Sequence, residues 1–191
     1  MQNKSNNSAI HKLHTPISDE AILSLKTGDM VSLSGIIYTA RDAAHARLVE
    51  MASRGEAMPF EFKGQAVFYA GPAPAKPGKQ IGSVGPTTGG RMDTYSPYLI
   101  ERGLKIMIGK GGRSVDVVDA IKQHGGIYFA ATGGIAALMA RCVESSEVIA
   151  FDELGPEAIR KLRVVELPVI VAIDHQGNNI YETGPKEYLE Q

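Results

Sequence analysis

Apolar residues in this chain fall into short runs and helical repeats that alternate along most of its length. Apolar runs predict strands at Met30–Tyr38, Gln65–Ala70, Leu104–Ile108, Ile127–Ala131, Val148–Phe151, Val169–Ile173 and Ile180–Tyr181. Helical spacing and capping residues predict helices at residues 18–23, 41–54, 96–102, 114–124, 133–142 and 156–162. Strands that alternate with helices indicate an α/β fold with a largely parallel central sheet.

The N-terminal segment and one long internal loop stand outside this pattern. Residues 1–15 are rich in Asn, Ser, Lys and His, which predicts a flexible N-terminal arm. Residues 16–191 then form a single domain, since no repeat or low-complexity block interrupts them. Gly71–Gly82 contains three prolines and three glycines and is predicted to be a long loop. Loops of this length are often functional.

Composition and charge exclude several classes of protein. The 191 residues are 43% hydrophobic and 21% charged, an ordinary globular balance, and the net charge of −1 lacks the basic footprint of a nucleic-acid-binding domain. No apolar run approaches a membrane span, and Met1–Ser8 lacks a signal-peptide core, so we expect a cytoplasmic location. Cys142 is the only cysteine, which excludes an intrachain disulfide and a cysteine-based metal site.

Charge is unevenly distributed along the chain, and three clusters have the composition of an anion site. Five Lys/Arg against two acidic residues give 85–113 a charge of +3, whereas 144–191 carries −6. The clusters are Thr39–His45, Gly85–Asp93 and Gly109–Ser114, and they contain Arg41, Arg91 and Lys110 respectively. Glycine-rich turns and helix N-termini favour anions, and Arg and Lys bind carboxylates or phosphates. A small dianion and a phosphate both fit these residues.

Each of these residues also has a structural interpretation. A lone Arg beside an Asp is more often a surface ion pair, and His45 on a helix face is more often structural than catalytic. The Gly109–Gly111 turn lacks the Ser/Thr and the upstream glycine of a P-loop, and no dinucleotide fingerprint follows the first strand. The residues by themselves therefore indicate an anion-binding α/β domain without a metal of its own.

The same clusters carry a resemblance to a known family. The matching stretches are Ser34–His45, Gly85–Thr88 with Arg91–Asp93, Gly109–Gly111, Gly126 with Ala130–Gly134, and Pro168–Asp174 with Gly177–Asn178. Together they resemble the β subunit, or C-terminal domain, of the class I iron–sulfur hydro-lyases, which include class I fumarases and L-tartrate dehydratases. The resemblance covers roughly residues 16–185. Gly89–Gly90 stands where relatives often carry Ser or another residue, so that turn is expected to be looser here.

The resemblance implies a fold, a cofactor and a partner. The fold is a single swivelling β/β/α domain, which makes the central sheet mixed or mostly parallel. A separate α subunit carries a 4Fe–4S cluster through three of its own cysteines, and this chain binds none alone. The partners are that α subunit and a dicarboxylate, with no nucleic acid or membrane, and a homodimer is one state open to the isolated chain.

The resemblance also implies a reaction and roles for individual residues. The reaction is the reversible dehydration of (S)-malate to fumarate. Thr87, the first threonine of the G-P-T-T motif, is the implied catalytic base, and Arg41, Arg91 and Lys110 match the groups that bind the substrate carboxylates. His45 is grouped with these substrate-binding residues, as a side chain that orients the substrate or Arg41.

Two other functions fit the sequence. The first is the β subunit of L-tartrate dehydratase, whose substrate differs from malate by one hydroxyl group. The second is a non-catalytic anion-binding module that regulates a partner. Replacement of Thr87 separates the two classes of function, because only a catalytic role predicts loss of turnover with assembly preserved.

Overall fold

Seven strands and six α-helices make up the part of the chain that the computed structural model describes, residues 10–75, 77–78, 80–131 and 136–189. The strands are β1 (His11–His14), β2 (Met30–Thr39), β3 (Ala66–Phe68), β4 (Ile106–Gly109), β5 (Ile127–Ala130), β6 (Val143–Ala150) and β7 (Ile159–Ile173). The helices are α1 (Asp19–Ser24), α2 (Asp42–Ser53), α3 (Ser96–Glu101), α4 (Val115–His124), α5 (Ala136–Arg141) and α6 (Ile180–Leu189), with 3₁₀ helices at Gly89–Met92 and Asp152–Glu157.

The central sheet closes on itself. Strands β2, β3, β4 and β5 are parallel neighbours in that order. Strand β7 runs antiparallel to β5 and also pairs with β2, from Met30 with Ile170 to Thr39 with Arg160. Strand β1 extends the sheet beside β2, and β6 extends it beside β7. The α/β prediction with a mixed, mostly parallel sheet is therefore confirmed, and the closure into a barrel is an addition to it.

Both faces of the central strands are buried, because side chains alternate between two apolar clusters. Phe68, Ile108 and Phe129 belong to one cluster with residues of β2 and β7, and their alternation around the closed sheet places them inside the barrel. Met107 and Tyr128 belong to the other, which packs under α2, α3 and α4. No helix among the described residues has the length and apolar character to cross a membrane.

Two predicted elements near the C-terminus are wrong. Residues 156–162 do not form a helix: β7 begins at Ile159 and pairs with β2 over most of its length, and this long-range pairing overrides a local helical pattern. The predicted strand Ile180–Tyr181 is instead the first turn of α6. Asn179 starts that helix, since its Oδ1 accepts a hydrogen bond from the Tyr181 backbone N–H (3.1 Å).

Part of the predicted N-terminal arm is ordered. His11–His14 forms β1 and pairs in parallel with Val31–Ser34 of β2. Thr15 is buried, and its hydroxyl donates a hydrogen bond to Ile36 O (2.6 Å), which ties the end of the arm to the barrel. Residues 1–9 of the predicted arm, and residues 133–135 of the predicted helix 133–142, lie outside the described residues.

The carboxylate of Asp174, just after β7, organises the turn that leads into α6. It accepts hydrogen bonds from the backbone and hydroxyl of Thr27, from the Gln176 backbone, and from the backbone and side chain of Asn178. Burial alone would raise the pKa of this carboxyl, but the hydrogen bonds from Asn178, Thr27 and Gln176 outweigh burial and leave the pKa below its ordinary value. The ionised form therefore stabilises the fold.

We expect Asp174→Asn to lower the free energy of unfolding by about 1–3 kcal/mol at neutral pH, because buried donors lose an ionised acceptor. The folded pKa lies below the unfolded one, so this stabilisation is present above about pH 4 and is lost as pH falls through the folded pKa. Urea denaturation at several pH values measures the difference, with the exposed Glu101→Gln as control. A difference that stayed constant down to pH 2 would contradict this account.

Candidate functional site

The three chemical clusters predicted from the sequence meet at the end of the barrel where β2, β3 and β4 finish. Thr39–His45 connects β2 to α2, and Gly109–Ser114 connects β4 to α4. Gly85–Asp93 joins them from the side, because the Thr87 backbone N–H donates to Tyr69 O just beyond β3 (2.6 Å). Parallel neighbours place their carboxyl ends at one edge, where ligands of α/β proteins commonly bind.

The backbone next to Thr87 pairs with Lys110, in a short parallel bridge between Thr88 and Lys110. The Lys110 N–H donates to Thr87 O (3.2 Å), and the Gly89 N–H donates to Lys110 O (2.7 Å). Thr87 is partly buried and Lys110 is exposed. Within the described residues, the Thr87 hydroxyl has no hydrogen-bond partner and the Lys110 ammonium has no carboxylate partner. A hydroxyl and an ammonium are thus available to a ligand at the same short ladder.

Arg41 immediately precedes α2, and its side chain contacts Glu157 from the segment before β7. Its Nη2 lies 3.3 Å from Oε1 of Glu157, and its Nε lies 3.8 Å from Oδ2 of Asp42. The guanidinium lies flat against Gly71: a Cβ added there would be 2.8 Å from Nη1 of Arg41. The other oxygen of Glu157 accepts from the Ala43 N–H (2.9 Å), so one carboxylate caps α2 and positions Arg41.

Arg91, like Arg41, contacts the carboxylate of Asp42. Its Nε donates to Oδ1 of Asp42 at 2.8 Å, so that Arg41 and Arg91 meet at a shared partner. The Arg91 side chain is 51% exposed and that of Arg41 is 21% exposed. A cavity of about 750 Å³ lies elsewhere, beside Ala73 and α5. The surface at this end of the barrel therefore exposes Arg91 and Lys110, whereas Arg41 is largely covered.

His45 lies beneath this surface and not on it. Its ring is fully buried beside the rings of Tyr69 and Tyr95. Its Nδ1 donates to Arg41 O (2.9 Å), which places the proton on Nδ1, while Nε2 has no partner among the described residues. Burial, helped by the charge of Arg113, lowers the pKa of His45 to about 4 against the opposing effects of Arg41 O and Asp42. The ring is neutral near pH 7.

Arg113, which the sequence analysis did not select, is the buried residue that bonds the loops of the site to one another. Its side chain is completely buried. The guanidinium donates from Nε to Asp93 (2.6 Å), from Nη2 to Ser96 (2.7 Å) and from Nη1 to the Tyr69 hydroxyl (3.4 Å). It also lies against the Tyr128 ring, 4.9 Å from its centroid. Burial alone would lower the pKa of Arg113, but Tyr69 and Asp93 raise it, so the side chain stays charged.

The Arg113 network links the two glycine-rich loops. Asp93, from one loop, also accepts from the Ser114 N–H at the start of α4 (2.6 Å). The Tyr128 hydroxyl donates to Gly111 O (3.2 Å), and burial raises the pKa of that phenol against the opposing charge of Arg113. Gly89 fits closely here, since a Cβ would be 2.5 Å from the Tyr128 oxygen. The turn is tightly packed, contrary to the looseness expected from Gly89–Gly90.

Local sequence signals pointed to other roles for several of these groups. Ser96 was expected to cap α3, but it is buried and donates to Met92 O while accepting from Arg113. Ser114 does precede α4, but its side chain makes no capping bond and Asp93 replaces it. Glu157, in the acidic C-terminal region, gave no local signal of its contact with Arg41. Asp93 alone had a sequence signal, because it ends the Arg91–Asp93 stretch that carries part of the family resemblance.

The described residues do not fit a cluster or metal site. They contain no group of three His, Cys, Asp or Glu side chains placed to hold a metal ion. Cys142, the chain's single cysteine, is partly buried beside Glu166, and burial and that carboxylate both raise the pKa of its thiol. An iron–sulfur cluster bound through three cysteines requires ligands from elsewhere.

Comparison with known proteins gives a consistent result. A family model described as the fumarase C-terminus matches residues 1–184. The aerobic class I fumarate hydratase of Escherichia coli K12 is 44% identical over 154 residues, which are 80% of this chain and 28% of the relative. Fumarate hydratase 2 of Leishmania major is 42% identical over 156 residues, 81% of this chain and 28% of the relative.

A shorter relative matches along nearly its whole length. The putative L(+)-tartrate dehydratase subunit beta of Methanocaldococcus jannaschii is 38% identical over 181 residues, which are 92% of this chain and 93% of the relative. In contrast, the chain spans about a third or less of the fumarate hydratases that it matches.

Removal of the buried cation should show how much the site depends on it. We expect Arg113→Met to lower the free energy of unfolding by about 3–5 kcal/mol, because Asp93 becomes an unpaired buried charge. Adding Asp93→Asn should recover part of that loss. Urea denaturation gives both values, with Arg102→Met at an exposed ion pair as control, expected to cost about 1 kcal/mol or less. Additive losses in the double variant would contradict the pairing.

Burial of a neutral His45 also predicts a pH dependence. The folded pKa of about 4 lies below the unfolded value of about 6.5, so the unfolded chain takes up a proton first as pH falls. Stability should therefore decrease between pH 6.5 and 4, by on the order of 3 kcal/mol from this group. His45→Gln should remove that component in chemical denaturation, and His124→Gln is the matched control. An unchanged slope in His45→Gln would show that His45 titrates normally.

Proposed function

Because this chain belongs to the fumarase C-terminal family, we propose that it is the β subunit of a two-subunit class I fumarate hydratase. In this role it supplies the substrate-binding groups and the catalytic base for the reversible dehydration of (S)-malate to fumarate. The observation that supports the proposal is that the loop carrying Thr87 is joined by backbone hydrogen bonds to the loop carrying Lys110, at the barrel end where Arg41 and Arg91 both contact Asp42.

Thr87 is the proposed base. Dehydration removes a proton from the carbon beside a carboxylate and breaks the carbon–oxygen bond of the hydroxyl on the neighbouring carbon. A threonine hydroxyl accepts that proton only as an alkoxide, which needs positive charge close by. Lys110, whose backbone N–H donates to Thr87 O, is the proposed source of such a charge and of stabilisation for the negative charge that develops on the substrate.

Arg41 and Arg91 are the proposed carboxylate-binding groups. A guanidinium grips a carboxylate through two parallel hydrogen bonds, and two of them suit the two ends of a dicarboxylate. His45 is proposed to position Arg41, because its buried ring donates to the Arg41 carbonyl. The 4Fe–4S cluster is proposed to reside on the partner α subunit, since this chain has one cysteine.

L-Tartrate dehydration is the second candidate reaction. It is favoured by one observation, the match along 93% of a relative named putative L(+)-tartrate dehydratase subunit beta. Malate and tartrate differ by one hydroxyl group, and a partner that donates or accepts a hydrogen bond there would discriminate strongly. A non-catalytic anion-binding module that regulates a partner is the remaining alternative.

Anaerobic co-purification with a cluster-bearing partner, followed by assays on malate and L-tartrate, tests the proposal. We expect a complex that converts malate. Thr87→Val should lower kcat by about 10²–10⁴-fold with the complex intact, and Thr87→Ser should recover part of the activity because the hydroxyl returns. Thr94→Val, at an exposed threonine in the following turn, is the matched control and should behave like the original chain.

The remaining outcomes separate the alternatives. Turnover of tartrate alone would keep the architecture and change the substrate. Full activity in Thr87→Val would exclude Thr87 as the base and favour a non-catalytic role for this chain. Turnover by the homogeneous chain without any partner or metal would contradict the two-subunit proposal.

A further inference from the structure

The two arginines proposed to bind substrate are already joined by a carboxylate of this chain. Oδ1 of Asp42 lies 2.8 Å from Nε of Arg91, and Oδ2 lies 3.8 Å from Nε of Arg41. The Asp42 side chain is 28% exposed, and its Oδ2 is buried without a hydrogen-bond partner among the described residues. This carboxylate accepts a hydrogen bond from Nε of Arg91 and lies in ion-pair distance of Arg41, whose buried Nε has no hydrogen-bond partner among the described residues.

The support for Asp42 is rigid. It is the first residue of α2, where a negative charge interacts favourably with the helix dipole. The start of that helix is fixed from outside by Glu157, which accepts from the Ala43 N–H, and from below by His45, which donates to Arg41 O. A carboxylate on such a helix end has a defined position before any ligand arrives.

Asp42 leaves a specific part of Arg91 open. A guanidinium has two edges that fit a carboxylate: the side with Nε, and the end with the two terminal nitrogens. The only side-chain hydrogen bond of Arg91 to a described residue uses Nε, and the side chain is 51% exposed. The terminal edge of Arg91 is therefore the one presented to a ligand.

Resting on the proposed function, we infer that Asp42 is a positioning residue that sets the specificity of the site for a dicarboxylate over inorganic anions. It fixes Arg91 by a hydrogen bond to Nε, lies in ion-pair distance of Arg41, and leaves the terminal edge of Arg91 for a substrate carboxylate. It also reduces the local charge: Arg41, Arg91 and Lys110 give +3, and Asp42 with Glu157 lowers this to +1.

Loss of the Asp42 charge has opposite consequences under two explanations. If Asp42 only reduces positive charge, its neutralisation tightens the binding of every anion. If it positions the arginines, a dicarboxylate that needs a fixed geometry binds less well, whereas sulfate, which accepts hydrogen bonds from any direction, binds better. The ratio of the two affinities therefore distinguishes positioning from charge alone.

The kinetic test uses the assembled complex with Asp42→Asn. We expect the KM for malate to rise about tenfold with a smaller change in kcat, while the inhibition constant of sulfate falls. Glu153→Gln is the matched control. It removes one negative charge from an exposed ion pair (3.4 Å) with Arg47, which lies on α2 like Asp42. Neither constant should change in that variant. Arg91→Lys, which keeps the charge and loses the two edges, should raise KM without tightening sulfate.

A spectroscopic test uses the chain without a partner. The Nε–H NMR signal of Arg91, assigned by its absence in Arg91→Lys, should exchange slowly with water and should move and exchange faster in Asp42→Ala. A signal that is the same in both proteins would overturn the inference, as would equal decreases of KM and of the sulfate constant in Asp42→Asn. If the unsubstituted complex converts neither malate nor tartrate, the proposed function fails, and the NMR measurement still decides the role of Asp42.

Discussion

The pairing of β7 with β2 is the constraint on which the rest of the structure depends. It joins the last strand of the barrel to the first and leaves the ring without an edge. It also brings the 3₁₀ helix before β7 against the start of α2, where Glu157 reaches both Arg41 and the Ala43 N–H. A contact between segments more than a hundred residues apart in sequence thus determines where a candidate substrate-binding cation stands.

The buried and the exposed cations of the site have different roles. Arg113 is completely buried, and its desolvation is offset by Asp93, Ser96 and two tyrosines that occupy every part of the guanidinium. Above it, Arg91 and Lys110 remain in contact with solvent. The buried cation fixes the loops, and the exposed cations keep hydrogen-bonding capacity for a ligand. If every cation of the site were bonded within the chain as Arg113 is, none would have hydrogen-bond donors free for a ligand.

The sequence was most informative where structure is local. The strand-to-helix junctions at Thr39–His45 and Gly109–Ser114 follow from apolar runs, glycines and helix starts that a few neighbouring residues encode, so their place at one edge could be predicted. The residues missed are those whose roles come from distant partners. Arg113 looks like any basic residue in a glycine-rich turn, and its burial depends on Tyr69, which follows β3, and Tyr128 of β5. The strand at Ile159–Leu162 likewise depends on pairing with β2, which local periodicity does not record.

The contact between Gly89 and Tyr128 has a consequence for how this surface can vary. Gly89 is required by the space that the Tyr128 hydroxyl and the Arg113 stem occupy, and not by a left-handed backbone. A larger residue at position 89 requires a smaller one at position 128 together with a shift of the Arg113 side chain, and loss of the tyrosine also removes the hydrogen bond to Gly111 O. The residues at positions 89 and 128 are therefore coupled, and a substitution at either position alone destabilises the protein.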